Sequence, residues 1–287
     1  MYWWTRWRFS NRKNRPKLEH IRHLYSNYLN RLVDLDVYLP SGYTRKGCYP
    51  LLLLNDGQDL PRMGMKQLLA DWQGASENQM PFLVVGIYAG PDRMREYGVA
   101  AQPDYLGRGD LAGAYSLFVL NELIPFLRSR YSITGEVTQV WMAGFSLGAL
   151  SALDLVWSHP GTFGGAGVFS GALWWRSKAF CIVEPDANRI LHDQIKLKAG
   201  EGTSFQRFWW MAGTEEETDD RNKNGIIDVI DDTLDGIHAM ESVGVPKEHL
   251  RYLQVEGGRH EPESWGSCML DFWGFMLNKQ GLSSQSL

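Results

Sequence analysis

Cysteine is scarce: Cys48, Cys181 and Cys268 are 3 residues in 287, odd in number and far apart. They make neither a disulfide framework nor a metal-binding spacing, so a reducing, cytoplasmic location is expected. Long apolar runs are also missing. A membrane-spanning helix needs about 20 apolar residues, whereas the longest runs here, Leu51–Leu54 and Phe82–Tyr88, have the length of buried strands. Stable membrane insertion is therefore not expected. Positive charge is not in excess: 29 Lys and Arg against 33 Asp and Glu leave a net charge of −4, which argues against nucleic acid as a partner. The chain lacks internal repeats, low-complexity tracts and any Pro/Gly/Ser-rich linker.

What is present is a core-forming composition, 44% hydrophobic, arranged as alternating strands and helices. Residues 1–19 (MYWWTRWRFSNRKNRPK and the two that follow) are basic and aromatic without the apolar segment of a secretory signal, and read as a loosely docked arm. Residues 281–287 form a short tail, and 20–280 read as one domain. Ile21–Leu39 alternates polar and apolar residues, giving two strands with a turn near Ser26–Asn27. Tyr49–Asn55 and Pro81–Tyr88 are continuously apolar, as expected of strands covered on both faces. Strands are further expected at Val137–Ala143, Gly164–Phe169, Phe205–Ala212 and Leu250–Val255. Helices are expected at Met63–Trp72, Ala114–Tyr131 with a kink at Pro125, Leu147–Ser158, Asp231–Val243 and Ser264–Asn278. This alternation implies an α/β fold: a mostly parallel central sheet with helices on both faces, preceded by antiparallel N-terminal strands.

Gly144-Phe145-Ser146-Leu147-Gly148 matches G-x-S-x-G. The five-residue pattern is short, but it follows an apolar strand and opens a helix, the strand–turn–helix setting in which a serine hydroxyl is lifted clear of a sheet. Ser146 is thus the candidate nucleophile, and the Leu147 N–H at the helix start is a candidate oxyanion donor. A serine needs a base held by an acid. Of 7 histidines, His260 lies in a Gly-rich loop (GGRHEPESW) after the last strand, where the chain order Ser, acid, His places the base. The acid belongs after the strand Phe205–Ala212, where Glu215, Glu216, Glu217, Asp219 and Asp220 all compete.

Together, VYLPSGY, YPLLLLNDGQ, NELIPFLRSRY, GFSLGALSAL, FSGALWW and GGRHEPESW, in that order over about residues 20 to 280, resemble the "Putative esterase" family of α/β-hydrolases. That family includes enterochelin esterases, feruloyl and acetylxylan esterases, S-formylglutathione hydrolases and mycolyltransferases. The resemblance implies an α/β-hydrolase fold, a Ser-His-acid triad and no organic cofactor. It selects Glu216 as the acid, the fourth residue of Gly213-Thr214-Glu215-Glu216, with Glu215 and Glu217 as near rivals. It also implies a second oxyanion donor at the Gln58 N–H, past Asp56-Gly57, and a site-framing loop containing Arg93, Glu96 and Tyr97.

Two further features stand out. Asp220, Asn222, Asn224, Gly225, Asp228 and Asp231 occupy positions 1, 3, 5, 6, 9 and 12 of an EF-hand-type loop, with the Ile226 carbonyl at position 7. Such a loop suits a structural Ca²⁺, although position 12 is Asp rather than Glu; a solvated acidic turn is the alternative. Trp174 and Trp175, with Arg93 and Tyr97, are the candidate lining of a substrate pocket. The expected function is a serine carboxylic-ester hydrolase working through an acyl-enzyme on a small-molecule, carbohydrate or siderophore ester. The alternatives are an acyltransferase using the same intermediate and a non-catalytic carbohydrate-binding module.

Overall fold

The computed structural model describes residues 15–76, 79–197 and 205–277. The expectations for residues 1–14 of the arm and for the 281–287 tail lie outside the described residues. Eight strands form one sheet: β1 (Lys17–Ser26), β2 (Arg31–Leu39), β3 (Leu51–Asn55), β4 (Leu83–Ile87), β5 (Val140–Phe145), β6 (Gly165–Phe169), β7 (Arg207–Gly213) and β8 (Leu250–Val255). Their order is β1-β2-β4-β3-β5-β6-β7-β8. β1 and β2 are antiparallel to each other and β2 to β4; the rest run parallel. This is the α/β-hydrolase architecture, with the antiparallel strands at the N-terminal end.

The helices are α1 (Met65–Ala75), α2 (Arg93–Glu96), α3 (Ala112–Phe118), α4 (Ile124–Arg130), α5 (Leu147–Ser158), α6 (Ile190–Leu197), α7 (Asp228–Ser242), α8 (Pro262–Ser267) and α9 (Met269–Leu277). Side chains alternate across the sheet, so the apolar runs feed two cores. Leu51 and Leu53 of β3, Met142 of β5 and Trp210 of β7 pack with Tyr115 of α3 and Leu150 of α5. Their neighbours Leu52, Leu54, Trp141 and Trp209 pack on the other face with Leu69 and Trp72 of α1 and Phe272 and Trp273 of α9. Among the described residues, no helix is long and apolar enough to cross a membrane.

Several boundaries differ from expectation for local reasons. Val137–Gln139 is a single tight turn, and the strand begins at Val140. Between α3 and α4, Val119–Leu123 widens to a π turn just before Pro125. Proline has no N–H to donate and its ring crowds the preceding turn, so the helix loosens there rather than breaking. α7 starts one turn earlier than expected, at Asp228, and the last expected helix divides into α8 and α9 at Cys268. α6 was not expected: its eight residues carry too few apolar positions (Ile190, Leu191, Ile195, Leu197) for a periodic signal.

Candidate active site

The parallel strands end in register. Phe145 pairs with Phe169, Phe169 with Met211, and Gly213 with Val255. The residues that follow these ends, Ser146, Ser170, Glu216 and His260, therefore share the carboxyl edge of the sheet, where open α/β sheets place their ligands.

Ser146 sits between β5 and α5 with φ 54° and ψ −123°, a conformation that L-residues rarely adopt. Its neighbours make the turn feasible. A Cβ on Gly144 would lie 2.3 Å from the Gly148 carbonyl oxygen, and one on Gly148 would lie 2.6 Å from Asp56 Oδ2. Backbone bonds pin the bend: the Ser146 N–H donates to the Phe169 carbonyl (2.9 Å), and the Ala172 N–H donates to the Ser146 carbonyl (3.1 Å). Asn55, buried at the end of β3, donates through Nδ2 to the Gly148 carbonyl at 2.7 Å and accepts the Tyr115 hydroxyl at 2.5 Å. The Leu147 N–H opens α5 and has no carbonyl one turn back to bond.

The three adjacent glutamates after β7 take three different partners. Glu215 faces Arg259 (3.4 Å), Glu216 Oε2 meets His260 Nδ1 (2.8 Å), and Glu217 Oε1 accepts the Val229 N–H (2.6 Å). Because a carboxylate only accepts, His260 Nδ1 carries the proton and Nε2 is left as the acceptor. Glu216 Oε1 accepts two more bonds, from the Gly213 N–H (2.5 Å) and the Ser170 hydroxyl (2.6 Å). Ser170 in turn accepts Trp265 Nε1–H at 2.8 Å. The Trp265 ring stacks on Phe145 and meets the His260 ring edge-on, with centroids 5.2 Å apart. The loops carrying acid and histidine are zipped together: Glu215 N–H donates to the Gly258 carbonyl and Gly257 N–H to Thr214 Oγ1, both at 2.9 Å. Burial, together with the Glu216 charge, pushes the Tyr252 phenol up to about 12.

One cavity of about 310 Å³ is lined by Ser146, Ser170, Trp174, Glu216, Glu217, Val229 and His260, with Gly171 and Ala172. It brings together five of the candidates: Ser146, Glu216, its rival Glu217, His260 and Trp174. Two others need correction. Tyr97 and Trp175 are fully buried, so their rings support the site from beneath and present no surface to a ligand. The Tyr97 hydroxyl accepts the Asp56 N–H (3.3 Å), and Trp175 lies under Arg108. Arg93 is engaged with Asp56 by two bonds of 2.7 Å, and Glu96 is buried against Arg31. Gln58 follows Asp56, whose φ of 57° starts the short turn Gly57–Asp59; Gly57 packs on Gly86 so closely that a Cβ would lie 2.5 Å from its carbonyl carbon. Asn55 and Ser170 were missed as site residues, and Glu217 entered only as a rival acid. The one available signal was Ser170's position directly after an apolar strand, matching that of Ser146.

In the loop after Glu217, Asp220 accepts the N–H groups of Asn224 (3.1 Å) and Gly225 (2.9 Å). The amides of Asn222 and Asn224 both reach Asp231 Oδ2, at 2.9 and 2.8 Å. Asp228 departs from the expected ligand role: its Oδ1 takes the Arg221 N–H at 2.8 Å and also faces that residue's guanidinium at 3.2 Å. Among the described residues, no three His, Cys, Asp or Glu side chains cluster as a metal site. The Asn222 and Asn224 side-chain oxygens accept the N–H groups of Asn224 (3.1 Å) and Ile226 (2.8 Å), closing the loop on itself.

Comparison with known proteins places these features in a family. The family model described as "Putative esterase" matches residues 26–271. The uncharacterized protein YbbA of Bacillus subtilis (strain 168) is 26% identical over 180 residues, which is 60% of this chain and 71% of that protein. Among solved structures, a ferulic acid esterase is 19% identical with a TM-score of 0.69, over 92% of this chain and 98% of the other. The enterobactin esterase FES from Shigella flexneri is 18% identical with a TM-score of 0.68, over 92% of this chain. The chain spans only 60% of that enzyme's length. At these identities the two structures are alike in fold.

Proposed function

The chain belongs to the "Putative esterase" family, and from that premise we propose that it is a serine carboxylic-ester hydrolase using Ser146, His260 and Glu216. The observation that carries this reading is the 2.8 Å contact of His260 Nδ1 with Glu216, in the cavity also lined by the strained Ser146. Ser146 Oγ attacks the ester carbonyl while His260 Nε2 takes its proton. The Leu147 and Gln58 N–H groups receive the developing oxyanion. His260 then protonates the leaving alcohol, and water, activated by the same imidazole, releases the acid from the acyl-enzyme. Glu216 holds the imidazole in the required tautomer and stabilises its charged form. The substrate is a small-molecule ester. Ser146→Ala is expected to lower kcat for p-nitrophenyl acetate by a factor of at least about 10³ while the circular dichroism spectrum is unchanged. Turnover close to wild type in a folded variant overturns the mechanism.

The 220–231 loop is proposed to hold a structural Ca²⁺ through Asp220, Asn222, Asn224, Asp231 and the Ile226 carbonyl. The spacing of these oxygen-bearing residues at positions 1, 3, 5, 7 and 12 of an EF-hand-type loop supports this reading. Because the Asp228 N–H bonds the Asp219 carbonyl (2.8 Å), the ion would brace the segment that carries Glu216.

A further inference from the structure

The cavity beside Ser146 holds a charge that the hydrolytic mechanism does not use. Of its carboxylates, Glu216 is matched by His260, whereas the hydrogen bond of Glu217 comes from the neutral Val229 N–H at the start of α7. Cations on the surrounding segments are already engaged. Arg221 pairs with Asp186, Asp228 and Asp232, Arg259 faces Glu215, and Arg108 pairs with Asp104. Desolvation raises the Glu217 carboxyl above its ordinary value, opposed by the Val229 N–H bond and reinforced by the charges of Asp228, Asp219 and Asp232. The same cavity presents Trp174, 44% exposed. The Arg108 guanidinium lies over that ring at 5.1 Å, so the indole already receives a cation there.

Building on the hydrolase reading, we propose that Glu217 and Trp174 form a subsite for a cationic group, an ammonium or guanidinium, carried by the ester close to its scissile bond. A carboxylate and an exposed aromatic face are the two features that bind such a group most favourably. A neutral ring on Trp174 would leave the charge of Glu217 unmatched, and an anionic group would be repelled by it. The subsite therefore selects positively charged esters and rejects carboxylated or phosphorylated ones.

The test compares acetylthiocholine with its neutral isostere S-(3,3-dimethylbutyl) thioacetate by thiol release. Wild type is expected to favour the cation about tenfold in kcat/KM, and Glu217→Gln to bring that ratio to within about twofold of unity. In parallel, calorimetry measures phenyltrimethylammonium binding to Ser146→Ala and to Ser146→Ala/Glu217→Gln, with affinity about fivefold weaker in the double variant. A wild-type ratio near one, a ratio that survives Glu217→Gln, or equal binding by the two calorimetry variants overturns the subsite and leaves hydrolysis standing. If neither thioester turns over, the hydrolase reading is decided by p-nitrophenyl acetate and the binding comparison alone decides the subsite.

Discussion

Ser170→Ala removes one hydroxyl from the support of the proposed acid, and its cost can be worked from two hydrogen bonds. Ser170 is buried, donates to Glu216 Oε1 at 2.6 Å and accepts Trp265 Nε1–H at 2.8 Å. Loss of the bond to a charged acceptor costs about 1.5–3 kcal/mol, and a buried N–H left without an acceptor costs about 1–3 kcal/mol more. Partial relaxation puts the net destabilisation near ~3 kcal/mol, a fall of roughly 5–10 °C in Tm for a chain of this size. Alanine adopts the positive φ of 49° no less readily than serine, so backbone strain adds nothing. The catalytic consequence follows from orientation. Without this hydroxyl Glu216 Oε1 keeps only the Gly213 N–H, so the carboxylate that meets His260 is held less firmly. Loss of orientation lowers kcat by about 10- to 100-fold. Thermal unfolding and turnover of p-nitrophenyl acetate read these outcomes. A variant with wild-type Tm and wild-type kcat would refute the reasoning.

Two other outcomes follow from separate parts of the molecule. If the 220–231 loop holds calcium, EDTA lowers Tm and excess Ca²⁺ restores it, by about 2.7 kcal/mol at a free concentration 100 times Kd; a Tm indifferent to both leaves only an acidic turn. His192 is buried, donates Nε2–H to the Asp232 carbonyl at 3.0 Å and, through burial and then the Arg189 charge, has its pKa pushed down to about 3. The unfolded chain protonates this imidazole near pH 6.5 and the folded one does not, so its contribution is complete above pH 6.5. It is lost at about 1.4 kcal/mol per pH unit as pH falls toward 3. His192→Gln is expected to flatten the fall of stability with pH between 6.5 and 4.5, as measured by urea titration; an equal slope in both proteins would discount this histidine.

The central sheet was legible because its strands are buried on both faces, and runs such as Leu51–Leu54 admit few other readings. The chain's edges and joints were less so. α6 packs only Ile190, Leu191 and Ile195 into the apolar core, while Leu197 is exposed and the rest are polar, so its existence depends on the partners it meets in α5 and α7. The widened turn before Pro125 was foreseen as a kink because proline's missing N–H is a local property. What a helix does about it depends on its packing.

At the site, legibility followed distance along the chain. The bend at Ser146 is encoded by two glycines within two residues of it, so motif and geometry coincide. The choice among Glu215, Glu216 and Glu217 is encoded elsewhere. Their partners are Arg259, His260 and the Val229 N–H, 44, 44 and 12 residues away. Nothing local distinguishes three identical side chains in a row; the close approach of Gly213 to Gly258 does, by fixing which glutamate faces the histidine loop. Ser170 illustrates the same point from the other side. As one serine among many it carries no signal, yet the pairing of Phe145 with Phe169 puts it beside Ser146, and Trp265 arrives from 95 residues further on. The strained bend at Ser146 can be read from five residues because strain is local. The shell that holds an acid in place is assembled from strand register, and register belongs to the fold.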